Sequence, residues 1–411
     1  MTVPHPVTHH DVVVVGARCA GAATAMLLAR AGYDVALVDR AALPQDTTST
    51  HSLVRGGVVQ LARWGLLQEV LDSGAPPIRS VWFHEYGPQA PDPVRRTVKD
   101  RAGVDLLLAP RRHILDRILA DAAVRAGATL LTRTTATGVL RGAGGRVVGV
   151  SARDARSDQR ELTARLVVGA DGVHSRLAGW VGASTVASYA ASGACLYTYV
   201  DDVPWDGIEF HLADEAFGGV FPTHHGQGCV WLIRPTTAFA PVLRAGAGRA
   251  DAWLRALRET VPGLADRVLP DSISAPVRGA VGLPNHLRQA AGPGWALVGD
   301  AGYHRDPITG HGITDAFRDA ALLADAAGHF LGEPGPGRRD DPAREAAAMA
   351  GYQTERDAAV ADTFRVTRAL GDFPRASRFL ELQGELSRAL EVEASQLAER
   401  TVRVGGVVPA A

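Results

Sequence analysis

The stretch DVVVVGARCAGAATAMLLARAGYDVALVD, residues 11–39, decides the fold. Its first five residues form a β-branched run suited to a strand buried on both faces. Gly16 then allows a sharp turn, an alanine-rich helix follows, and Gly32 stops it. Residues 34–39 (DVALVD) supply a second strand. Strand, turn, helix and strand in this order make a right-handed βαβ unit and predict a parallel sheet.

The turn also carries chemistry. Backbone N–H groups at a helix N-terminus favour a phosphate, and Gly21 lets the helix lie close to the sheet. Asp39 closes the second strand about 20 residues on, where a carboxylate can accept bonds from ribose hydroxyls. The usual fingerprint is G-x-G-x-x-G, but Arg18 replaces the middle glycine. Its guanidinium is expected to reach the pyrophosphate itself.

The 411 residues can bury a sizeable core and enclose a ligand. With 46 % hydrophobic and 21 % charged residues and a net charge of -1, the chain reads as globular. Nucleic acid is not the expected partner, and no stretch is apolar enough for membrane insertion. Cys19, Cys195 and Cys229 match no metal pattern, so no metal and a reduced, cytoplasmic location are expected. The first ten residues read as a loose polar arm. Lys99 is the one lysine in the sequence.

Further along, helices are expected over 58–72, 112–126 and 249–260, and a long one starts near Gly312. Strands at 129–131, 147–152, 166–169 and 295–298 extend the first sheet. Alternating segments between 188 and 275 (CLYTYV, IEFHLA, GGVFP, CVWLIRP) predict an antiparallel sheet. Residues 332–342 read as a soft linker, and the remainder as helical with a frayed tail.

Three other segments carry a family resemblance. WALVGDAGYHRDPITGHGITDAFRDAALLADA, residues 295–326, resembles the second flavin motif of para-hydroxybenzoate hydroxylase-like monooxygenases, G-D-A-x-x-x-x-x-P-x-x-G-x-G. Gly299, Asp300, Ala301, Pro307, Gly310 and Gly312 occupy every marked position. ARLVVGADGVHSRL, residues 164–177, is similar to the family's D-G motif, with Asp171, Gly172, Ser175 and Arg176 in place. PRRHILDRILADAAVRAGATL, residues 110–130, resembles the helix beginning R-x-x-L-D, which nominates Arg112, with Arg111 as the alternative, for the phosphates.

The resemblance implies an α/β fold: a Rossmann-like FAD-binding domain of the glutathione-reductase type with an inserted antiparallel substrate sheet. The expected boundaries are 1–75, 101–185 and 285–332 for FAD, 76–100 and 186–284 for substrate, and 333–411 for linker and C-terminal helices. It implies bound FAD, with the ribityl chain on Asp300 and Pro307 near the ring. The expected cofactor-binding set is Gly16, Arg18, Cys19, Ala20, Gly21, Asp39, Arg40, Arg112, Asp171, Asp300, Pro307, Gly310, Gly312 and Ile313.

It further implies a monooxygenase that uses transient NADPH or NADH and O2, forms a C4a-hydroperoxyflavin and oxygenates a small aromatic or polyketide-like molecule. The chain would act as a monomer or homodimer. Candidate wall residues are Tyr197, Tyr199, Phe210, His211, Phe221, His224, His225 and Trp231; His51, His211, His224 and His304 are the candidate catalytic groups. His51 could equally touch flavin, touch substrate or cap a helix. The alternative is an FAD-dependent reductase of carbon–carbon double bonds similar to geranylgeranyl reductase, because GGVFP at 218–222 resembles a segment of those enzymes. A flavin halogenase fits less well: W-x-W-x-I-P is absent, and its lysine would have to be Lys99.

Overall fold

The computed structural model describes residues 7–191, 193–333 and 341–400. The start of the expected arm (1–6), the middle of the linker (334–340) and the expected frayed tail (401–411) lie outside them.

Five parallel strands form the centre of the first sheet, in the order Trp295–Leu297, Gln159–Gly169, Val7–Val15, Val35–Val38 and Thr129–Leu131. Period-2 alternation explains the apolar runs. Val12, Val14, Val35 and Leu37 pack on the helices of one face, while Val13, Val15, Ala36 and Val38 fill the core of the other. The first strand is longer than its apolar run suggests. Val7, Thr8, His9 and His10 pair in register with residues 161–164, so this part of the polar arm is strand. Its exposure tolerates polar side chains while the backbone ladder holds it.

The fold's second sheet is seven-stranded and draws on Ser80–Glu85 and Val94–Thr97 as well as five strands between 193 and 281. It is antiparallel except where Ile208–Ala213 pairs parallel with Ser80–Glu85. Phe217, Phe221 and Trp231 project from one face, whereas Leu196, Val220 and Leu232 meet Trp253 and Leu257 of helix Arg249–Thr260 on the other.

One expected helix differs. The expected helix at 58–72 is two helices, Arg55–Arg63 and Leu67–Asp72, because Gly65 at φ +70° breaks the first. Of the C-terminal helices, Ala376–Glu399 packs Phe379, Leu382 and Leu386 with Phe217 and Trp231 of the second sheet, and Pro342–Gly371 docks on the first sheet's layer. Tyr352 Oη donates to the Leu297 carbonyl at 2.6 Å, and the Glu345 carboxylate accepts from the Gly294 amide at 2.8 Å.

Helix Cys19–Arg30 sits so close to the sheet turn that a Cβ at Gly21 would lie 1.7 Å from the Gly16 carbonyl oxygen. Alanine would gain about 1 kcal/mol of helix propensity, but overpacking against fixed backbone costs up to about 3 kcal/mol. Gly21→Ala is therefore expected to destabilise the FAD-free protein by about 2 kcal/mol, read as a lower urea midpoint.

Candidate active site

A cleft of about 810 Å3 opens where the βαβ turn, the D-G loop and the loop before helix Gly312–Leu331 converge. The N-termini of helices Cys19–Arg30 and Gly312–Leu331 both border it. Each brings unpaired N–H groups and the positive end of a helix dipole. Gly16, Arg18, Cys19, Ala20, Asp39, Arg40, Arg112, Asp171, Asp300, Pro307, Gly310, Gly312 and Ile313 all line this cleft. Gly21 stands behind it as the contact that seats the helix.

Asp39 is buried and accepts from the Ala17 amide at 2.8 Å and the Ala41 amide at 2.7 Å, which locks the turn beside it. Arg112 pairs with Asp116 at 3.1 Å, and Asp116 also accepts from the Cys19 thiol at 3.0 Å. Burial alone would lower the Arg112 pKa, but the Asp116 carboxylate overrides it and keeps the guanidinium charged. Asp171 accepts from the Arg176 and Leu177 amides at 2.8 and 3.1 Å, so its carboxylate also caps helix Arg176–Val181.

Arg18 and Asp300 are different. Among the described residues, neither side chain has a hydrogen-bond partner, although both line the cleft. Burial raises the Asp300 pKa, opposed by His304 and Arg112. A half-buried carboxylate and a guanidinium facing one cleft suit a hydroxyl-bearing, phosphate-bearing ligand. The residues therefore fit FAD, with Arg18 and Arg112 toward the pyrophosphate, Asp39 toward the adenosine ribose and Asp300 toward the ribityl chain. FAD, when bound, would supply two-electron chemistry.

A second cavity, of about 1340 Å3, adjoins the first, and Thr50, Ser52, Cys195, Pro307 and Gly310 border both. Its walls are mainly apolar: Phe210, Phe217, Phe221 and Trp231 come from the second sheet. Leu380, Leu386 and Leu390 of helix Ala376–Glu399 complete them. The sequence reading missed these leucines, although their helical spacing over 380–390 was the available signal. Lys99 lies exposed on the cavity's lining.

The candidate catalytic histidines divide. His304 lines the nucleotide cleft; its Nδ1–H donates to the Pro284 carbonyl at 2.7 Å, which leaves Nε2 as an acceptor. His51 lines neither cavity. At φ +68° it turns back under the loop and meets the Tyr199 hydroxyl, and burial lowers its pKa to about 3.

His211 is one residue along the strand from Phe210 and therefore faces the opposite side of the sheet. There it hydrogen-bonds Tyr86 at 2.8 Å and Glu209 at 3.3 Å. His224 accepts from the Arg111 amide at Nδ1, so its proton is on Nε2 and donates to Ser73 Oγ at 3.0 Å. That pins two loops together. Tyr197 lines the nucleotide cleft, while Tyr199 and His225 line neither cavity.

Ligand atoms of His84, Glu209 and His211 lie within 4.8 Å of one another. Arg267 already holds Glu209 at 2.7 and 2.8 Å, and Tyr86 holds His211, so the group is satisfied without an ion. No helix among the described residues is long and apolar enough to cross a membrane.

Arg18→Ala is expected to weaken FAD binding about ten- to a hundredfold, since a charged hydrogen bond contributes about 1.5–3 kcal/mol. Fluorescence titration of the apoprotein checks this; unchanged affinity would mean that the side chain turns away.

Residues 9–358 match the FAD binding domain family. The chain is 29 % identical over 322 residues to digeranylgeranylglycerophospholipid reductase of Methanocella arvoryzae, covering 77 % of this chain and 76 % of that one. In fold it resembles a flavin-dependent brominase, Bmp2, as a triple mutant (TM-score 0.77, 16 % identity, 95 % of each chain). It also resembles PqsL, a probable FAD-dependent monooxygenase from Pseudomonas aeruginosa (TM-score 0.74, 20 % identity, 92 % of this chain and 100 % of that one). The chain belongs to the FAD binding domain family of flavin-dependent oxidoreductases.

Proposed function

We propose that this enzyme is an FAD-dependent reductase that saturates a carbon–carbon double bond in a long, largely apolar molecule. The observation that carries the reading is the cavity of about 1340 Å3 beside the nucleotide cleft, walled by aromatic and leucine side chains. A small phenol would leave most of that volume unfilled, whereas an isoprenoid-like chain would bury apolar surface along it. The reductase name of the Methanocella relative supports the same class of substrate.

Saturation of a double bond adds two electrons and two protons. Reduced FAD would carry the electrons, drawn from transient NADPH or NADH, and the protein would position the alkene and keep water out. The cavity also reaches Arg96 and Lys99, and neither has an ion-pair partner among the described residues. These two exposed cations suit a polar or acidic head left outside while the tail enters.

A monooxygenase remains the second reading. It is favoured by the aromatic walls and by the fold likeness to PqsL.

An anaerobic single turnover separates the two. The photoreduced holoenzyme, mixed with geranylgeranial, a long isoprenoid with a polar end, without oxygen, is expected to return to oxidised flavin and give a product with two more hydrogens. Flavin that stays reduced until air is admitted, with a product bearing one added oxygen atom, would instead establish the oxygenase.

A further inference from the structure

Beside its apolar walls the larger cavity has charged and polar lining, Arg96, Lys99 and Glu393 among it, and three of its polar residues stand together. Thr309, His311 and Thr314, from the loop and first turn that open helix Gly312–Leu331, all line it. Each is buried: 9 %, 6 % and 1 % exposed. Among the described residues, Thr309 Oγ1, both ring nitrogens of His311 and Thr314 Oγ1 have no hydrogen-bond partner. The Thr309 backbone favours the protonated ring of His311, against the larger effect of burial.

Four buried, unpaired polar atoms in one patch are costly, because each buried and unsatisfied group forfeits about 1–3 kcal/mol of hydration. Such groups in a binding cavity are explained when the ligand pairs them. None of the three residues lines the nucleotide cleft, so the missing partner is the second ligand rather than the cofactor. The same loop nevertheless borders the nucleotide cleft at Pro307 and Gly310, which places this polar patch beside the reacting end.

The chemistry of the patch narrows the partner. Burial holds the His311 pKa down at about 3, so its ring is neutral near pH 7 and carries one N–H. Two hydroxyls and a neutral imidazole can each donate a hydrogen bond, and none brings a full charge. An uncharged acceptor oxygen fits that set better than a carboxylate or phosphate.

We propose that Thr309, His311 and Thr314 form a subsite for a carbonyl oxygen conjugated with the double bond that is reduced. The inference rests on the reductase reading and names its substrate as an α,β-unsaturated carbonyl compound on a long apolar chain. Hydride adds to the β-carbon, and the π electrons pass to the carbonyl oxygen. Donors placed at that oxygen stabilise the negative charge that develops there. The α-carbon then takes a proton, drawn from solvent after the hydride has moved, and the carbonyl re-forms. The hydride would come from reduced FAD, and the product holds two more hydrogens than the substrate.

Binding to the oxidised holoenzyme tests this, with geranylgeranial and the hydrocarbon of the same skeleton as probes and the flavin difference spectrum as readout. The wild type is expected to bind the aldehyde about tenfold tighter than the hydrocarbon, the worth of one good hydrogen bond. His311→Leu should bring that ratio close to one without changing FAD content, and His311→Asn, which keeps a donor, should recover part of it. Thr314→Val provides an independent variant with a smaller drop should the leucine variant fail to fold. A ratio near one in the wild type, or a ratio untouched in His311→Leu and Thr314→Val, overturns the subsite and leaves the reductase reading standing. If neither probe binds the wild type, the isoprenoid reading itself falls and takes the subsite with it.

Discussion

Two buried carboxylates fix where the cofactor-facing turns lie. Asp39 grips the Ala17 amide at the first glycine turn, and Asp319 grips the Gly299 amide at the second at 3.0 Å. A backbone N–H held by a carboxylate in an apolar layer has little freedom to move, since losing the bond would strand both partners. The second grip belongs to a wider network. Arg318 pairs with Asp319 at 2.9 Å, with Asp315 at 2.7 Å and with Glu393 of the C-terminal helix at 3.0 Å. The helix that borders the nucleotide cleft is thereby tied to the helix that walls the adjoining cavity.

That coupling explains why distant pieces of chain make one site. The cleft needs two helix N-termini pointing at the same space, and the parallel strands place the first of them. The second arrives through the 14 residues between strand Trp295–Leu297 and helix Gly312–Leu331, about 50 Å of chain if extended. The Asp319 grip and the pairing of Tyr303–His304 with Asn285–Arg288 together set its course. Burial of several charges costs more than it returns in stability, so the network is better understood as a device for positioning.

The sequence disclosed the cofactor end far better than the substrate end. Glycine turns, the two aspartates and the helix starts at 112, 249 and 312 depend on local rules, and local rules are legible in a string of residues. Which face of a strand looks into a cavity is not local. His211 and Phe210 alternate by the period of two, but nothing in IEFHLA says which of them meets the ligand. His51 was unreadable for another reason: a left-handed backbone at a non-glycine residue turns its ring away from the site, and no sequence rule forces it. His311 lay inside the motif that identified the cofactor, where the flanking glycines drew the attention.

The central claim is that the cleft between the two helix N-termini holds one FAD per chain. Equilibrium titration of FAD into the folded apoprotein, followed by quenching of flavin fluorescence, tests it most directly. The account expects saturation at one equivalent, with a sharp rise in thermal stability over the same range. Folded protein that neither quenches flavin nor gains stability from it would contradict the account at its root.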